Sequence, residues 1–361
     1  GWRRSSYTSI TAGAHAGERD GNGRAELVGS EPEDPGTNDE PVTSQGTVIV
    51  AGLGPIPGPR VEAEQQQERR LRSTSSLLSA LPAGRDFGTF VHRVLERVDF
   101  STAGLRSQLS DLVGAERARY PGDADADTSL LVSGLEAAIS TPLGDLVGGA
   151  CLRDVGRADR LDELSFELPV AGGDYPAGEF VIGDVAALFD RHLGADDALA
   201  GYGSELRAPD LADDLRGYMT GSLDLVFRRR GRSGDPQYFV VDYKTNRLSA
   251  ATEEVSAWHY RPSALAAEMR RSHYPLQAVL YLVALHRYLR WRLPGYDPNV
   301  HLGGVLYLFL RGMACPGAPP VDGQPCGVFS WRPAPALVTE LSDLLAGLPG
   351  PSGEGPAPDV V

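Results

Sequence analysis

The chain has 361 residues, which is enough for one large domain or two ordinary domains with buried cores. Its hydrophobic content of 42% is typical of a globular protein, and no run of apolar residues is long enough to cross a bilayer. The formal net charge of −14 weighs against a protein that binds nucleic acid through an overall basic surface. Three scattered cysteines are too few for a disulfide framework and are typical of a reducing cytoplasm.

The first part of the chain differs in composition from the rest. Residues 11–46 are rich in Gly, Asp, Glu, Pro and Ser and hold almost no large apolar side chains, so they cannot bury enough surface to offset their ordering entropy. Residues 47–81 are intermediate, and we predict an acidic flexible linker over 11–80. The compact part is predicted over 81–348, followed by a loose tail at 349–361. No GxxxxGK(S/T) phosphate loop is present, so the chain encodes no ATP-driven motor.

Helices are predicted from apolar residues that recur at helical spacing. The first runs from Asp86 to Val98, with Asp86 as a plausible N-cap. Further helices are predicted near 102–118, 128–140, 275–291 and 335–346.

Strands are predicted between these helices. LSFELPV at 164–170 alternates between apolar and polar residues, and the runs 219–230 and 237–244 are joined by the turn sequence GRSGDP, which indicates a hairpin. GGVLYLFL at 303–310 is nearly all apolar, which is typical of a strand buried on both faces. The pattern predicts an α/β fold with a mixed sheet.

The hairpin brings two acidic residues together. Residues paired across a two-strand hairpin have numbers that add to a constant, and the midpoint of Asp224 and Asp242 is position 233, inside the turn. A regular turn would therefore place the two carboxylates opposite each other, within reach of one ion. The strand period of two then places Lys244 on the face of Asp242 and turns Tyr243 into the other layer.

Two carboxylates beside a lysine suit the hydrolysis of a phosphodiester. Oxygen ligands suit Mg²⁺, which accepts phosphate oxygens as further ligands and lowers the pKa of a bound water. The alternative is a cluster of Asp224, Asp242 and Lys244 that only stabilises the hairpin, since surface ion pairs are common.

The wider sequence resembles a known family. GYMTGSLDLVF at 217–227 and VVDYKTN at 240–246 resemble the core motifs of the PD-(D/E)xK nuclease superfamily, and more narrowly those of the C-terminal nuclease domain of RecB subunits of bacterial RecBCD helicase–nucleases. GTFVHRVLE, YPLQAVLYLVALHRYL and GGVLYLFLRG match three further blocks in the same order, across residues 81–345. The resemblance implies a restriction-endonuclease-like core with a mixed central sheet flanked by helices. It also implies that residues 1–10 end a helicase-like region and that the acidic stretch is its tether.

The resemblance assigns roles to individual residues. Its metal ligands fall on His92, Asp224, Asp242 and the backbone carbonyl of Tyr243, and its catalytic residues fall on Asp242 and Lys244. Glu163 lies where the family often has another acid, although a solvated glutamate at a strand end would explain it equally well.

Two residues of the long helix form a further motif. Gln277 and Tyr281 are one turn apart and therefore share a face, which Ala284 and Tyr288 continue. One interpretation is an amphipathic helix with a tolerant outer face. The resemblance instead places Gln277 and Tyr281 beside the active centre, where they support it or contact the DNA backbone.

The cysteines bear on one branch of the family, in which four of them hold an iron–sulfur cluster. This chain has three, and Cys315 and Cys326 lack the close spacing that such a cluster needs, which argues against one.

The resemblance implies a cytoplasmic, magnesium-dependent DNA nuclease of double-strand-break repair. It would cut single-stranded ends delivered by RecC-like and RecD-like subunits, with RecA as a further partner and no membrane. One alternative is a catalytically silent module that docks RecA or partner subunits, but such a module would be expected to lack Asp224, Asp242 or Lys244. The other is a stand-alone exonuclease of the same fold, which the helicase-like first residues disfavour.

Overall fold

The computed structural model of the chain describes residues 3–6, 59–119, 127–170, 181–208, 217–231 and 234–347. Six strands within these ranges form one sheet. They are β1 Arg3–Ser6, β2 Arg160–Val170, β3 Gly217–Arg230, β4 Pro236–Lys244, β5 Leu302–Phe309 and β6 Val328–Trp331. The helices are α1 Pro59–Ser73, α2 Arg85–Arg97, α3 Leu105–Arg119, α4 Thr128–Ser140, α5 Ile182–His192, α6 Tyr202–Glu205, α7 Pro262–Arg271, α8 Tyr274–Arg292, α9 Pro298–His301, α10 Leu310–Met313 and α11 Pro335–Leu345.

The sheet is mixed, as predicted. Its order is β1-β3-β4-β5-β6, and β2 pairs with the other edge of β3. The pairs β1–β3 and β4–β5 are parallel, and β2–β3, β3–β4 and β5–β6 are antiparallel. A parallel pair needs a long crossover, and the connection from β4 to β5 contains α7 and α8.

Each face of the sheet carries its own apolar core. Val226 and Val240 pack on one face in a cluster that includes residues of α5, α8 and α11. Leu225 and Val241 pack on the other face with residues of α2, α3 and α4. The molecule is therefore a three-layer arrangement with helices on both sides, and the predicted α/β class is confirmed.

The predicted helices and strands all occur, with shifts of a few residues at their ends. The start of α2 is the exception in detail, because Asp86 is not its N-cap. Gly84 occupies the N-cap position with φ of 112°, a conformation that glycine adopts readily. At this position of the described chain no side chain forms a capping hydrogen bond to the helix. Asp86 falls in the first turn instead, where a negative charge favours the helix dipole.

The predicted linker extends too far towards the C-terminus, because part of it is folded onto the domain. Residues 59–73 form α1, Leu71 is buried, and Thr74 and Leu77 form backbone hydrogen bonds to Ala257 and Ala314. The polar run EAEQQQERRLR hid this helix because few of its residues face the core. The rest of the predicted linker and the predicted tail lie outside the described residues.

The first residues contribute to the same sheet. Arg3–Ser6 pair in parallel with Gly217–Thr220, whereas β4 pairs with β3 from residue 225 onwards. Because β2 pairs with one edge of β3, β1 and β4 both pair with its other edge. β1 pairs with the part of β3 before positions 221–224, and β4 pairs with the part after them.

Within the described ranges no single helix has the length and apolar character to span a bilayer. Those criteria are met only by a bent pair, Thr128–Ser140 with Asp145–Asp154, whose parts diverge by 62°.

Candidate active site

The register of the β3–β4 hairpin is the one that the sequence predicts. Its pairs run from Arg230 with Pro236 to Leu225 with Val241, one position short of Asp224 and Asp242, whose pairing stays a prediction. The regular pairing of β3 with β4 ends there. The backbone N–H of Tyr243 donates to Oδ2 of Asp224 at 2.8 Å, so a side chain of β3 takes the place of a ladder contact.

Asp224 also marks an irregularity within β3. Leu223 packs in the same cluster as Val226, whereas Leu225 packs on the opposite face. In a regular strand residues 223 and 225 would share a face and 226 would lie on the other. The alternation of faces along β3 therefore reverses at Asp224, as it does where a strand bulges. The side chain of Asp224 is thus not required to lie on the same face of the sheet as that of Asp242.

The neighbouring strand β2 is distorted at the same level. Its pairing with β3 is interrupted between Asp162 and Leu164, so Glu163 stands opposite Asp224. Glu163 has φ of 49°, the left-handed region, which costs a residue other than glycine roughly 1–2 kcal/mol. Glu163 and Asp224 thus lie in one row across β2 and β3. Backbone strain of this kind is concentrated at functional sites.

His92 reaches this row from α2. Its Nδ1 lies 3.4 Å from Oδ1 of Asp224, and its Nε2 lies 3.0 Å from the carbonyl oxygen of Tyr243. Ligand atoms of His92, Glu163 and Asp224 all lie within 4.8 Å of one another. Apolar neighbours on α2, such as Phe90 and Val94, are buried under the sheet and hold the histidine at this point.

These three side chains fit a divalent cation. The carbonyl of Tyr243 can only accept, so this hydrogen bond puts a proton on Nε2 of His92, and Nδ1 is the ring nitrogen that faces Asp224 and can bind a cation once it carries no proton. Histidine ligands commonly donate their second ring N–H to a backbone carbonyl in this way. One imidazole nitrogen and two carboxylates, none of them fully buried, then converge on one point.

The structure therefore adds Glu163 to the group of possible metal ligands and leaves the ligand roles of two other residues untested. Glu163 joins His92 and Asp224 in the group of converging side chains, which the sequence alone left undecided. Asp242 is not a member of that group among the described residues, and the carbonyl of Tyr243 accepts from His92. A carbonyl has two lone pairs, so ligand roles for Asp242 and Tyr243 stay predictions.

Electrostatics separates the two carboxyl groups of the cluster. Burial raises the pKa of Asp224, but the nearby His92, the N–H of Tyr243 and Lys244 outweigh burial and lower the net pKa below its usual value. Burial and the charge of Asp224 raise the pKa of Glu163. Two carboxyl groups in one site repel each other, and a bound cation would relieve that repulsion.

Lys244 and Asp242 form the second part of the site. Lys244 Nζ lies 3.0 Å from Oδ2 of Asp242, and the two side chains are only 6% and 5% exposed. Tyr243 packs in the opposite core with Val241, so the predicted faces of residues 242–244 are confirmed. The ammonium group lies 4.1 Å from the ring centroid of Tyr274, which gives it a cation–π contact as well as an ion pair.

Gln277 and Tyr281 support this lysine pocket from α8. Tyr307, the β5 partner of Asp242, donates its hydroxyl hydrogen to Oε1 of Gln277 at 2.8 Å. Nε2 of Gln277 donates in turn to the hydroxyl of Tyr281 at 3.1 Å. The Tyr307 ring stacks on Tyr274, with centroids 5.4 Å apart.

The alternative of a tolerant outer face on α8 is wrong. Gln277 is 0% exposed and Tyr281 is 3% exposed, and the helix is buried almost continuously from Tyr274 to His286. The helix is covered on every side because it lies between the sheet and α7 and α11. Gln277 and Tyr281 are therefore placed to support the site through Tyr307, and their side chains are covered where a DNA backbone would have to reach them.

Sequence reasoning missed Tyr274 and Tyr307. Tyr307 lies in a strand that is otherwise apolar, and Tyr274 begins α8. A tyrosine inside a buried strand needs a partner for its hydroxyl, so Tyr307 carried a signal that could have been noticed.

Comparison with known proteins supports the family resemblance. A model of the PD-(D/E)XK nuclease superfamily matches residues 65–325. This range starts inside α1, in agreement with the packing of that helix on the domain. Nucleases of this superfamily depend on divalent metal ions.

Individual relatives give the same assignment. The chain is 41% identical over 346 residues to the RecBCD enzyme subunit RecB of Mycolicibacterium smegmatis. This match covers 95% of this chain and 29% of the relative. RecB of Mycobacterium tuberculosis is 40% identical over 95% of the chain and 28% of the relative, and RecB of Escherichia coli is 32% identical over 74% and 20%. The chain thus spans less than a third of the length of these relatives. By its matched domain and its RecB relatives, the chain belongs to the PD-(D/E)XK nuclease superfamily.

Proposed function

We propose that the chain is a metal-dependent deoxyribonuclease domain that hydrolyses phosphodiester bonds. One observation carries the proposal. A group of His92, Glu163 and Asp224 that suits a divalent cation lies beside a buried lysine, Lys244, that is held by Asp242. Metal ligands next to a fixed positive charge are the arrangement that hydrolysis of a phosphodiester requires.

We propose Mg²⁺ as the ion. Carboxylate oxygens of Glu163 and Asp224 suit a hard cation, and Nδ1 of His92 would complete the set, with Asp242 and the Tyr243 carbonyl as further proposed ligands. When bound, the ion supplies Lewis-acid polarisation of the phosphate and a lowered pKa for a water ligand.

Lys244 orients the attacking water and the scissile phosphate. Its ammonium group is fixed between the carboxylate of Asp242 and the ring of Tyr274, so its position is set before substrate binds. Nζ can donate hydrogen bonds to the water oxygen or to a phosphate oxygen, and its charge stabilises the negative charge that develops during attack. Because the pair is buried, these interactions act in a medium of low effective dielectric constant.

The substrate and partners follow the relatives. Their printed name makes them subunits of a RecBCD enzyme, and we propose that this chain acts in recombinational DNA repair within an assembly of that type. RecC-like and RecD-like subunits would deliver single-stranded ends. With a net charge of −14, the chain suits a nuclease that receives DNA from a complex better than one that captures it alone. A contact with RecA and a cytoplasmic location remain predictions from the resemblance.

A cleavage assay tests the proposal. Labelled single-stranded DNA is incubated with the chain in MgCl₂ or EDTA, and the parent is compared with Asp242→Ala, Lys244→Ala and Asp190→Ala. Asp190 pairs with Arg207 outside the site and is the control. We expect cleavage by the parent and the control only in MgCl₂, and loss of cleavage in the two site variants. Equal cleavage by all four proteins, or none by the folded parent, would contradict the proposal, and the second result would favour a silent docking module.

A further inference from the structure

Arg311 is a charged side chain with no exposed surface. It lies in α10, directly after β5, and its exposure is 0%. Arginine is almost never fully buried unless its charge and its donors are satisfied. The guanidinium group of Arg311 meets this need with backbone carbonyl groups from two separate segments.

The first segment is the end of β4. Nε of Arg311 donates to the carbonyl oxygen of Thr245 at 2.8 Å, and Thr245 directly follows Lys244. The second segment is the turn that leads into α2. Nη1 donates to the carbonyls of Leu78 and Leu81, and Nη2 donates to that of Pro82. One side chain therefore joins the strand that carries Lys244 to the segment that begins the helix of His92.

Two further contacts hold Arg311, one at its guanidinium group and one at its backbone. The ring of Phe87, in the first turn of α2, lies 5.4 Å from its central carbon. The hydroxyl of Ser76 donates to the backbone carbonyl of Arg311 at 2.6 Å. Both contacts come from the start of α2 or the segment before it, so Arg311 is attached to this part of the chain through its side chain and its backbone.

His92 provides a second polar link between α2 and the end of β4, beside the apolar packing of Tyr243 against α2. Its Nε2 donates to the carbonyl of Tyr243, while Arg311 holds the carbonyl of Thr245. The two links attach on either side of Lys244. Both links therefore bear on where α2 lies relative to Lys244.

We propose that Arg311 is a positioning residue of the nuclease site, which sets the helix of His92 against the strand of Lys244 so that metal-binding and lysine side chains keep their relative position. This inference rests on the proposed function. An arginine suits the task because its planar group presents five donors in a fixed fork, whereas a lysine donates from a single point and cannot span both segments.

Metal binding gives a test that does not depend on cleavage. The full 361-residue parent chain and Arg311→Lys are titrated with MnCl₂, and free Mn²⁺ is followed by electron paramagnetic resonance. Loss of an outer contact to a metal ligand commonly weakens binding by about 10–100-fold, and because Arg311 acts through the backbone and touches no proposed ligand, we expect a change at the lower end, about tenfold. In parallel single-turnover cleavage of DNA, we expect the rate constant to fall by about tenfold or more while half-saturating DNA stays within about twofold.

A matched control is Arg287→Lys. Arg287 donates to the side chain and the carbonyl of Ser342 and joins α8 to α11 away from the site. We expect this variant to lose some thermal stability and to bind Mn²⁺ like the parent. If Arg311→Lys does not fold, Phe87→Leu removes only the ring beside the guanidinium group, and we expect a two- to threefold weakening of Mn²⁺ binding.

The outcomes are distinguishable. Folded Arg311→Lys, or failing that folded Phe87→Leu, with the Mn²⁺ affinity and single-turnover rate of the parent would overturn the positioning role and leave the proposed nuclease intact. A parent chain that neither binds Mn²⁺ nor cleaves DNA would overturn both. Weakened binding in Arg311→Lys but not in Arg287→Lys supports the inference.

Discussion

The site has a ligand half, formed by His92, Glu163 and Asp224, and a lysine half, formed by Asp242, Lys244 and Tyr274. In the ligand half two carboxylates repel each other, and one of them sits on a strained backbone. In the lysine half the one charge pair is buried, matched and stacked on an aromatic ring. A cation would balance the charges of the first half, as we propose, whereas the second is already balanced. Metal binding and chemistry should therefore respond to different substitutions.

The largest effect should follow from Lys244→Gln. This change removes the charge beside the phosphate but leaves the ligand half intact, so we expect cleavage to fall by about 10²–10⁴-fold. Mn²⁺ affinity should stay within about threefold of the parent. Single-turnover cleavage and Mn²⁺ titration measure the two quantities on one preparation.

Stability must be followed in the same experiment. Removing one partner of a buried ion pair costs about 3–5 kcal/mol, and Asp242 would lose its cation. Circular dichroism at the assay temperature shows whether the variant is folded. A folded Lys244→Gln that cleaves like the parent would mean that the lysine half only stabilises the hairpin.

The converse experiment is made in the ligand half. His92→Gln and Asp224→Asn each remove a proposed metal ligand, so we expect Mn²⁺ affinity to fall by at least tenfold and cleavage to fall with it. High metal concentration should restore part of the cleavage, because the lysine half is unchanged. Asp190→Asn is the control, since it alters an ion pair outside the site. Unchanged Mn²⁺ affinity in both variants would remove these residues from the site.

Glu163→Gln should make the variant at least as stable as the parent without metal but less stable than the parent with metal. Without metal it removes the repulsion of Asp224, so we expect a melting temperature equal to or slightly above that of the parent. With saturating Mg²⁺ the parent gains stability from binding and the variant gains less, so the order reverses. Thermal unfolding in EDTA and in MgCl₂ measures both orders, and Glu167→Gln, on the same strand, is the control. Equal gains in MgCl₂ for parent and variant would show that Glu163 is not a ligand.

Much of the lysine half was predictable from sequence alone. Asp242, Tyr243 and Lys244 are contiguous, and strand periodicity gives their faces, while the turn fixes the register with Asp224. Gln277 and Tyr281 follow from helical spacing, although the burial of their whole helix does not. Burial depends on α7 and α11 packing over α8, which the sequence of one helix does not encode.

The ligand half was less predictable. Its residues come from α2, β2 and β3, which are far apart in the chain, and His92 was found only through the family resemblance. The convergence of Glu163 depends on a left-handed residue in β2 and on the reversal of faces at Asp224. Both are departures from regular strand geometry, and a pattern that assumes a period of two cannot predict them.

The smallest effect should come from Tyr307→Phe, which tests whether the support of the lysine half matters for chemistry. The change keeps the ring but removes the hydroxyl that donates to Gln277, and a lost buried hydrogen bond costs about 1 kcal/mol of unfolding free energy. With Gln277 less constrained, the rings beneath Lys244 can shift, so we expect cleavage to fall a few-fold with Mn²⁺ affinity unchanged.

The matched control for this change is Tyr296→Phe, which removes a hydroxyl bonded to His286 at the other end of α8. It should lose a similar amount of stability in urea unfolding and cleave like the parent. If Tyr307→Phe also cleaves like the parent, the hydrogen bonds from Tyr307 through Gln277 to Tyr281 only stabilise the core. The position of Lys244 would then be set by Asp242 and by Tyr274, the first residue of α8, without help from the rest of that helix.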